Sequence, residues 1–229
     1  MASGRLVVVS PHLDDAVFAC ADLIARHPGA MVITIFAGAP KTWGEPTDWD
    51  AASGFASGEN AVARRRKEDR EALSVLGATP LWLPFLDRQY GGSADSSEIT
   101  AALDTALAVA QPDIVAIPLG LWHSDHGLAH QAAIALIPRR PHVRWLAYED
   151  AIYRRFRDSG LAERAHDLHA FGIMTDPLPP GEPASPVKRL SIGCYRSQLR
   201  ALTGEGRPGW VDALAPERYW ALHVMSAEA

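Results

Sequence analysis

The sequence predicts an α/β fold, a three-layer sandwich with a mostly parallel central sheet. Two observations carry this. Short apolar, β-branched runs recur along the chain, and most are followed by a segment with helical spacing of its apolar residues, through about five units. Strands that alternate with helices in this way are joined by right-handed crossovers, which put helices on both faces of the sheet.

Leu6-Val7-Val8-Val9 is the first strand, a run with no polar alternation, as suits a strand buried on both faces. Ala16 to Arg26 carries Val17, Ala21 and Ile24 at helical spacing and is stopped by Pro28-Gly29. Met31 to Phe36 is the second strand. The stretch from Gly38 to Asn60, rich in Gly, Pro, Trp and Asp, is expected to be a long functional loop. Ala61 to Leu76 reads as a helix closed by Gly77, and Pro80 to Phe85 as the third strand. An alanine-rich helix over Thr100 to Gln111, a buried strand over Asp113 to Pro118, a helix over His126 to Ile137 and a strand over Val143 to Tyr148 follow. Beyond Asp150 the pattern weakens. Prolines 177, 179, 180, 183 and 186 mark a surface loop, Val187 to Leu202 is the last helix expected, and Tyr219 to Leu222 a closing strand. With no repeat and no low-complexity tract, residues 1–229 are read as one domain.

Composition narrows the function. With 22 Lys+Arg against 27 Asp+Glu the formal net charge is −5, and there is no basic footprint for nucleic acid. No apolar run approaches the ~20 residues of a membrane-spanning helix. Met1-Ala2-Ser3-Gly4-Arg5 leads into the first strand without the order of a signal peptide, so a cytoplasmic location is expected. Cys20 and Cys194, far apart, form no disulfide framework and no Cys-x-x-Cys site. No interface signature stands apart from the core pattern, which leaves a monomer or a homo-oligomer open.

In an open α/β sheet, ligands bind beyond the carboxyl ends of the strands. Two strand ends here are unusual: Pro11-His12-Leu13-Asp14-Asp15 follows the first strand, and His123-Ser124-Asp125-His126-Gly127-Leu128-Ala129-His130 follows the strand ending at Pro118. Four of the nine histidines therefore sit at two strand mouths. A catalytic zinc takes three protein ligands from His and Asp/Glu and keeps one position open. His12 and Asp15, three apart at a helix entry, can face one point, a histidine from the neighbouring strand can complete the set, and Asp14 is left as a base. His130, one turn after His126, is read as a core hydrogen-bonding residue with a ligand role conceivable. Arg64 to Lys67 is a charge run of the kind usually solvated. Trp43, Trp49 and Phe55 in the long loop, and Trp122 beside His123, are candidates to line a binding site. The first turn lacks the Gly-x-Gly-x-x-Gly of a dinucleotide fold.

The pair of motifs, Pro11-His12-Leu13-Asp14-Asp15 and His123-Ser124-Asp125-His126, resembles the zinc-dependent N-deacetylases of the PIG-L (LmbE-like) family. Weaker matches run through nearly the whole chain: Arg65-x-x-Glu68 with Ala72 and Leu76-Gly77, Asp87, Tyr195-x-Ser197-Gln198, and Glu217-Arg218-Tyr219-Trp220. The resemblance implies a Rossmann-like domain that removes the acetyl group from an N-acetylglucosamine-type amino sugar in a small glycoconjugate. It implies one zinc per chain on His12, Asp15 and His126, and a His/His/Asp site admits other divalent metals. By motif position Asp14 is the general base, His123 stabilises the oxyanion or protonates the leaving amine, Asp125 orients that imidazole, and Arg65 and Asp87 contact the sugar. Leu13 and Ala16 depart from the family's usual Pro and Glu. Two alternatives are a zinc-dependent amidase acting on another conjugate and a zinc-dependent carbohydrate-binding protein without turnover.

Overall fold

The computed structural model describes residues 4–156 and 160–225. Seven strands form one sheet: β1 (Leu6–Ser10), β2 (Met31–Thr34), β3 (Thr79–Trp82), β4 (Ile114–Pro118), β5 (Arg144–Tyr148), β6 (Ile173–Pro177) and β7 (Tyr219–Val224). Their order is β3-β2-β1-β4-β5-β7-β6. The first five strands pair in parallel, and β7 is antiparallel to both β5 and β6. The sheet is therefore mostly parallel, as the alternation predicts.

All five residues of β1 are buried, and the pleat sends them to two cores. Leu6 and Val8 join one cluster, together with α1 (Asp15–Ala25) and residues of α3 (Ala61–Val75). Val7 and Val9 join the other, together with α4 (Ser96–Ala110) and α5 (Ser124–Ile134). Helices thus cover both faces. Strand order reverses between β1 and β4, which pair with Val8 opposite Ala116, and such a switch point opens a crevice at the carboxyl ends of the two strands.

Several elements differ from the sequence expectation. The stretch from Gly38 to Asn60 contains a short helix, α2 (Asp48–Ser53), started by Thr47, whose side chain accepts from the Asp50 N–H. α4 begins earlier than expected because Asp95 and Glu98 form a reciprocal capping box. Past Asp150 the chain adds α6 (Leu161–Ala170) and β6, both poor in buried residues and so weakly patterned. The last expected helix is two, α7 (Pro186–Ile192) and α8 (Arg196–Leu202), with Tyr195 at the corner.

That corner is fixed by a buried carboxylate. Asp69 on α3 accepts from Tyr195 Oη at 2.7 Å and from Trp82 Nε1 at 2.7 Å. Burial pushes its carboxyl up to about 6 even though both hydrogen bonds favour the charged form. A carboxyl whose pKa is raised on folding binds its proton more tightly in the native state. Its penalty is full above pH ~6 and is relieved as the pH falls toward the unfolded value near 4. The stability of wild type relative to Asp69→Asn is therefore expected to rise by up to about 3 kcal/mol between pH 7.5 and pH 4. Urea unfolding of both proteins across that range checks it, and a flat difference would show that the carboxyl keeps its ordinary pKa.

Candidate metal centre and cavity

The turn from β1 into α1 carries three of the predicted site residues. Ser10, fully buried, donates from Oγ to the His12 carbonyl at 2.6 Å and accepts from the Ala16 N–H at 3.0 Å, clamping the turn. Asp15 Oδ2 accepts from the His12 backbone N–H at 2.8 Å and lies 3.2 Å from His12 Nδ1. Asp14 is N-cap by position only, since its side chain makes no capping hydrogen bond. It lines the cavity instead.

The second motif begins α5. His123 caps this helix through Nδ1, which accepts from the Asp125 N–H at 3.2 Å. The acceptor role at Nδ1 leaves the proton on Nε2, so the imidazole is a neutral donor at its free end. Burial, with His12 and His126 close by, lowers its pKa to about 4. The Asp125 backbone, and not its carboxylate, thus orients His123. The carboxylate turns to His12 Nε2 at 3.3 Å and to the Arg88 N–H at 3.2 Å.

His126, in the first turn of α5, is completely buried. Its Nδ1 lies 2.6 Å from Asp150 Oδ1, and its Nε2 has no hydrogen-bond partner and stands 3.2 Å from Asp15 Oδ2. His12, His123 and His126 face one another with ring centroids 5.2 to 5.5 Å apart. His12, Asp15 and His126 bring one ligand atom each close enough to share a metal ion, and His12, His123 and Asp125 form a second such group.

The electrostatics of this cluster ask for a cation. Burial works to lower the pKa of His12 and of His126, yet the surrounding carboxylates outweigh it. His12 is held well above its usual range by Asp125, Asp15 and Asp87, and His126 is raised to about 9 by Asp15 and Asp150. Asp15 is held well below the carboxylate range, against burial, chiefly by His126 and His12. The fit of a divalent ion rests on the unpartnered His126 Nε2, a buried nitrogen whose tautomer is fixed from its other side.

The two residues expected to contact the sugar lie in the same place. Arg65 and Asp87 both line the cavity. Arg65 is nearly fully buried; it pairs with Asp50 at 2.7 Å and donates to Tyr90 Oη and Ser53 Oγ, which anchors α2. Asp87 accepts from the Gln89 backbone and side chain and lies 3.8 Å from His12 Nε2. The Glu68 match is structural, for its carboxylate accepts from the Ser197 N–H and Oγ. Glu217 likewise ties α1 to β7, accepting from the Asp22 and Leu23 N–H groups, Tyr219 Oη and Lys188 Nζ.

The cavity holds about 320 Å³, within the usual range of a small-molecule site. Trp49 and Trp122 face it, whereas Trp43 and Phe55 line a smaller cleft alongside. Trp122 is half exposed, held at φ +61°, and stacks on Tyr153 with centroids 5.0 Å apart. His130 lies outside the cluster, its Nδ1 2.9 Å from the Pro118 carbonyl, as a core residue. Sequence reading missed Asp150, Tyr153 and Tyr90. The acidic pair Glu149-Asp150 just after a strand was the available signal for the first.

An open, mostly parallel α/β sheet with a His/Asp cluster able to hold a metal at its switch point defines the class. The chain belongs to the PIG-L family, whose description is GlcNAc-PI de-N-acetylase and which matches residues 7–137. It is 29% identical over 181 residues to 2'-N-acetylparomamine deacetylase of Streptomyces fradiae, covering 70% of this chain and 62% of that relative's length. The fold is that of the antimicrobial reagent A40926 pseudoaglycone deacetylase, with a TM-score of 0.77 at 22% identity over 99% of this chain and 100% of that one. It is similarly that of a zinc inhibited form of teicoplanin deacetylase, at 0.78 and 22% identity over 98% and 100%. Among the described residues no helix is long and apolar enough to cross a membrane.

Proposed function

We propose that this protein is a metal-dependent N-deacetylase that hydrolyses the acetamide of an N-acetylglucosamine-type amino sugar in a small glycoconjugate, with zinc held by His12, Asp15 and His126. The observation that carries the reading is geometric: His12, Asp15 and His126 converge on one point, and the cavity beside it is lined by His12 and Asp15 together with Asp14 and His123, a carboxylate and an imidazole outside that ligand set. A carboxylate so placed can accept a proton and later return it. The similarity to a 2'-N-acetylparomamine deacetylase supports an amino-sugar substrate.

When bound, the metal ion supplies Lewis acidity toward the amide carbonyl and activates water at neutral pH. Asp14 takes the proton from the attacking water and then delivers it to the nitrogen, without which an amine is a poor leaving group. His123 donates from Nε2–H to the oxygen that gains charge at the tetrahedral stage. Trp122 on Tyr153, with Trp49 as a further aromatic lining residue, offers flat apolar area for the aglycone. The products are acetate and a free amine.

The test is a panel of N-acetylglucosamine conjugates that differ in aglycone, incubated with zinc-reconstituted protein. Acetate and amine are expected in equal amounts, with rates ranked by aglycone. Release of a larger acid from another amide would move the reading to a different amidase. Tight binding without turnover would make the protein a sugar-binding one.

A further inference from the structure

Three donors converge on one buried carboxylate behind the proposed metal site. Asp150 follows β5 and is almost completely buried. Its Oδ1 lies 2.6 Å from His126 Nδ1, and its Oδ2 accepts from the Gly120 N–H and the Leu121 N–H, each at 2.9 Å. Gly120 and Leu121 begin the turn that runs from β4 through Trp122 to His123. This turn is demanding: Gly120 has φ +80°, and a Cβ there would stand 2.7 Å from His130 Cβ and 2.9 Å from the His126 carbonyl oxygen. Trp122 at φ +61° is a conformation a bulky residue rarely adopts, and it persists only where its surroundings enforce it.

We infer that Asp150 is a positioning residue that sets the metal-binding tautomer of His126 and, with its second oxygen, the turn that carries His123 and Trp122. This rests on the metal reading above and adds a residue to it. An ionised carboxylate accepts at both oxygens, and here both are used. Accepting from Nδ1–H leaves the lone pair of His126 on Nε2, the atom that faces Asp15 and has no other partner. The carboxylate also raises the basicity of the imidazole as a ligand. An amide of the same shape cannot do this, because one of its two ends is a donor. With its oxygen kept on the two fixed backbone N–H groups, the NH₂ of Asp150→Asn meets His126 Nδ1. That nitrogen must then accept, which moves the ring proton to Nε2 and blocks the ligand atom.

The test uses zinc as the probe. Zinc affinity of wild type and Asp150→Asn is measured by competition with a chromogenic chelator, beside the melting temperature of each metal-free protein. A 10- to 100-fold loss of affinity is expected, the range found for such outer partners of metal-bound histidine. An affinity equal to wild type overturns the inference, and a lowered melting temperature alongside it leaves Asp150 a structural clamp only. Nitrogen-15 spectra of zinc-loaded wild type decide the matter even if the variant fails to fold: His126 is expected protonated at Nδ1, and protonation at Nε2 overturns the assignment. Wild type that takes up no zinc removes the metal reading itself, and the inference with it.

Discussion

Replacing Asp14 by Asn is expected to cut the rate of amide hydrolysis by ~10²- to 10⁴-fold, the usual contribution of a positioned acid or base, while zinc uptake stays at wild-type level. Asp14 is outside the groups whose ligand atoms converge, and its side chain does not cap α1, so its loss removes neither a ligand nor a helix start. Its neighbour behaves in the opposite way. Asp15 touches His12 and His126 and is held ionised by them, whereas Asp14 is pushed up to about 7 by burial and by Asp15. The ligand atom of Asp15 converges with those of His12 and His126, while Asp14 lines the cavity outside that group. Initial rates of amine release, with bound zinc counted by atomic emission on the same samples, check the prediction. A zinc-loaded variant that turns over near the wild-type rate would assign the base elsewhere.

Much of this was legible in the sequence, for reasons that differ by element. β1 and β4 announce themselves because strands covered on both faces must be apolar throughout, and Leu6 to Val9 and Ile114 to Ile117 are. Their polar exits, His12 to Asp15 and His123 to His126, stand out against that background, and the switch point between the two strands is where the structure brings them together. α2, α6 and β6 stayed hidden because they bury little: of the ten residues of α6 only Leu168 is buried. α2 is held by tertiary contacts that no local pattern encodes, the Asp50–Arg65 pair and the bond from Trp49 Nε1 to Gln198. The charge run by itself does not reveal which of its members turns inward; the motif resemblance singles out Arg65, and its contacts with Asp50, Ser53 and Tyr90 are long-range. Sequence also left open whether His123 stabilises the oxyanion or protonates the leaving amine. In the structure its Nδ1 accepts the cap hydrogen bond, which leaves the proton of a neutral ring on Nε2.

That cap makes the substitution of His123 informative in two ways at once. Its Nδ1 end supports α5, the helix that carries His126, and its Nε2 end faces the cavity chemistry. His123→Ala removes both functions and is expected to lose about 1 kcal/mol of stability through the missing cap as well as turnover. His123→Asn separates them, because Asn is among the best N-cap residues but places no donor where the imidazole Nε2–H stood. For the Asn variant we expect kcat to fall ~10²- to 10³-fold, the effect of deleting one donor to a developing oxyanion, with little change in KM. A donor that binds carbonyl and oxyanion equally would instead raise KM and spare kcat. Steady-state kinetics on the best conjugate of the panel, with melting temperatures of both variants, distinguish these. If His123→Asn matches wild type in kcat while His123→Ala melts lower, the side chain serves the helix alone and the oxyanion donor is another group.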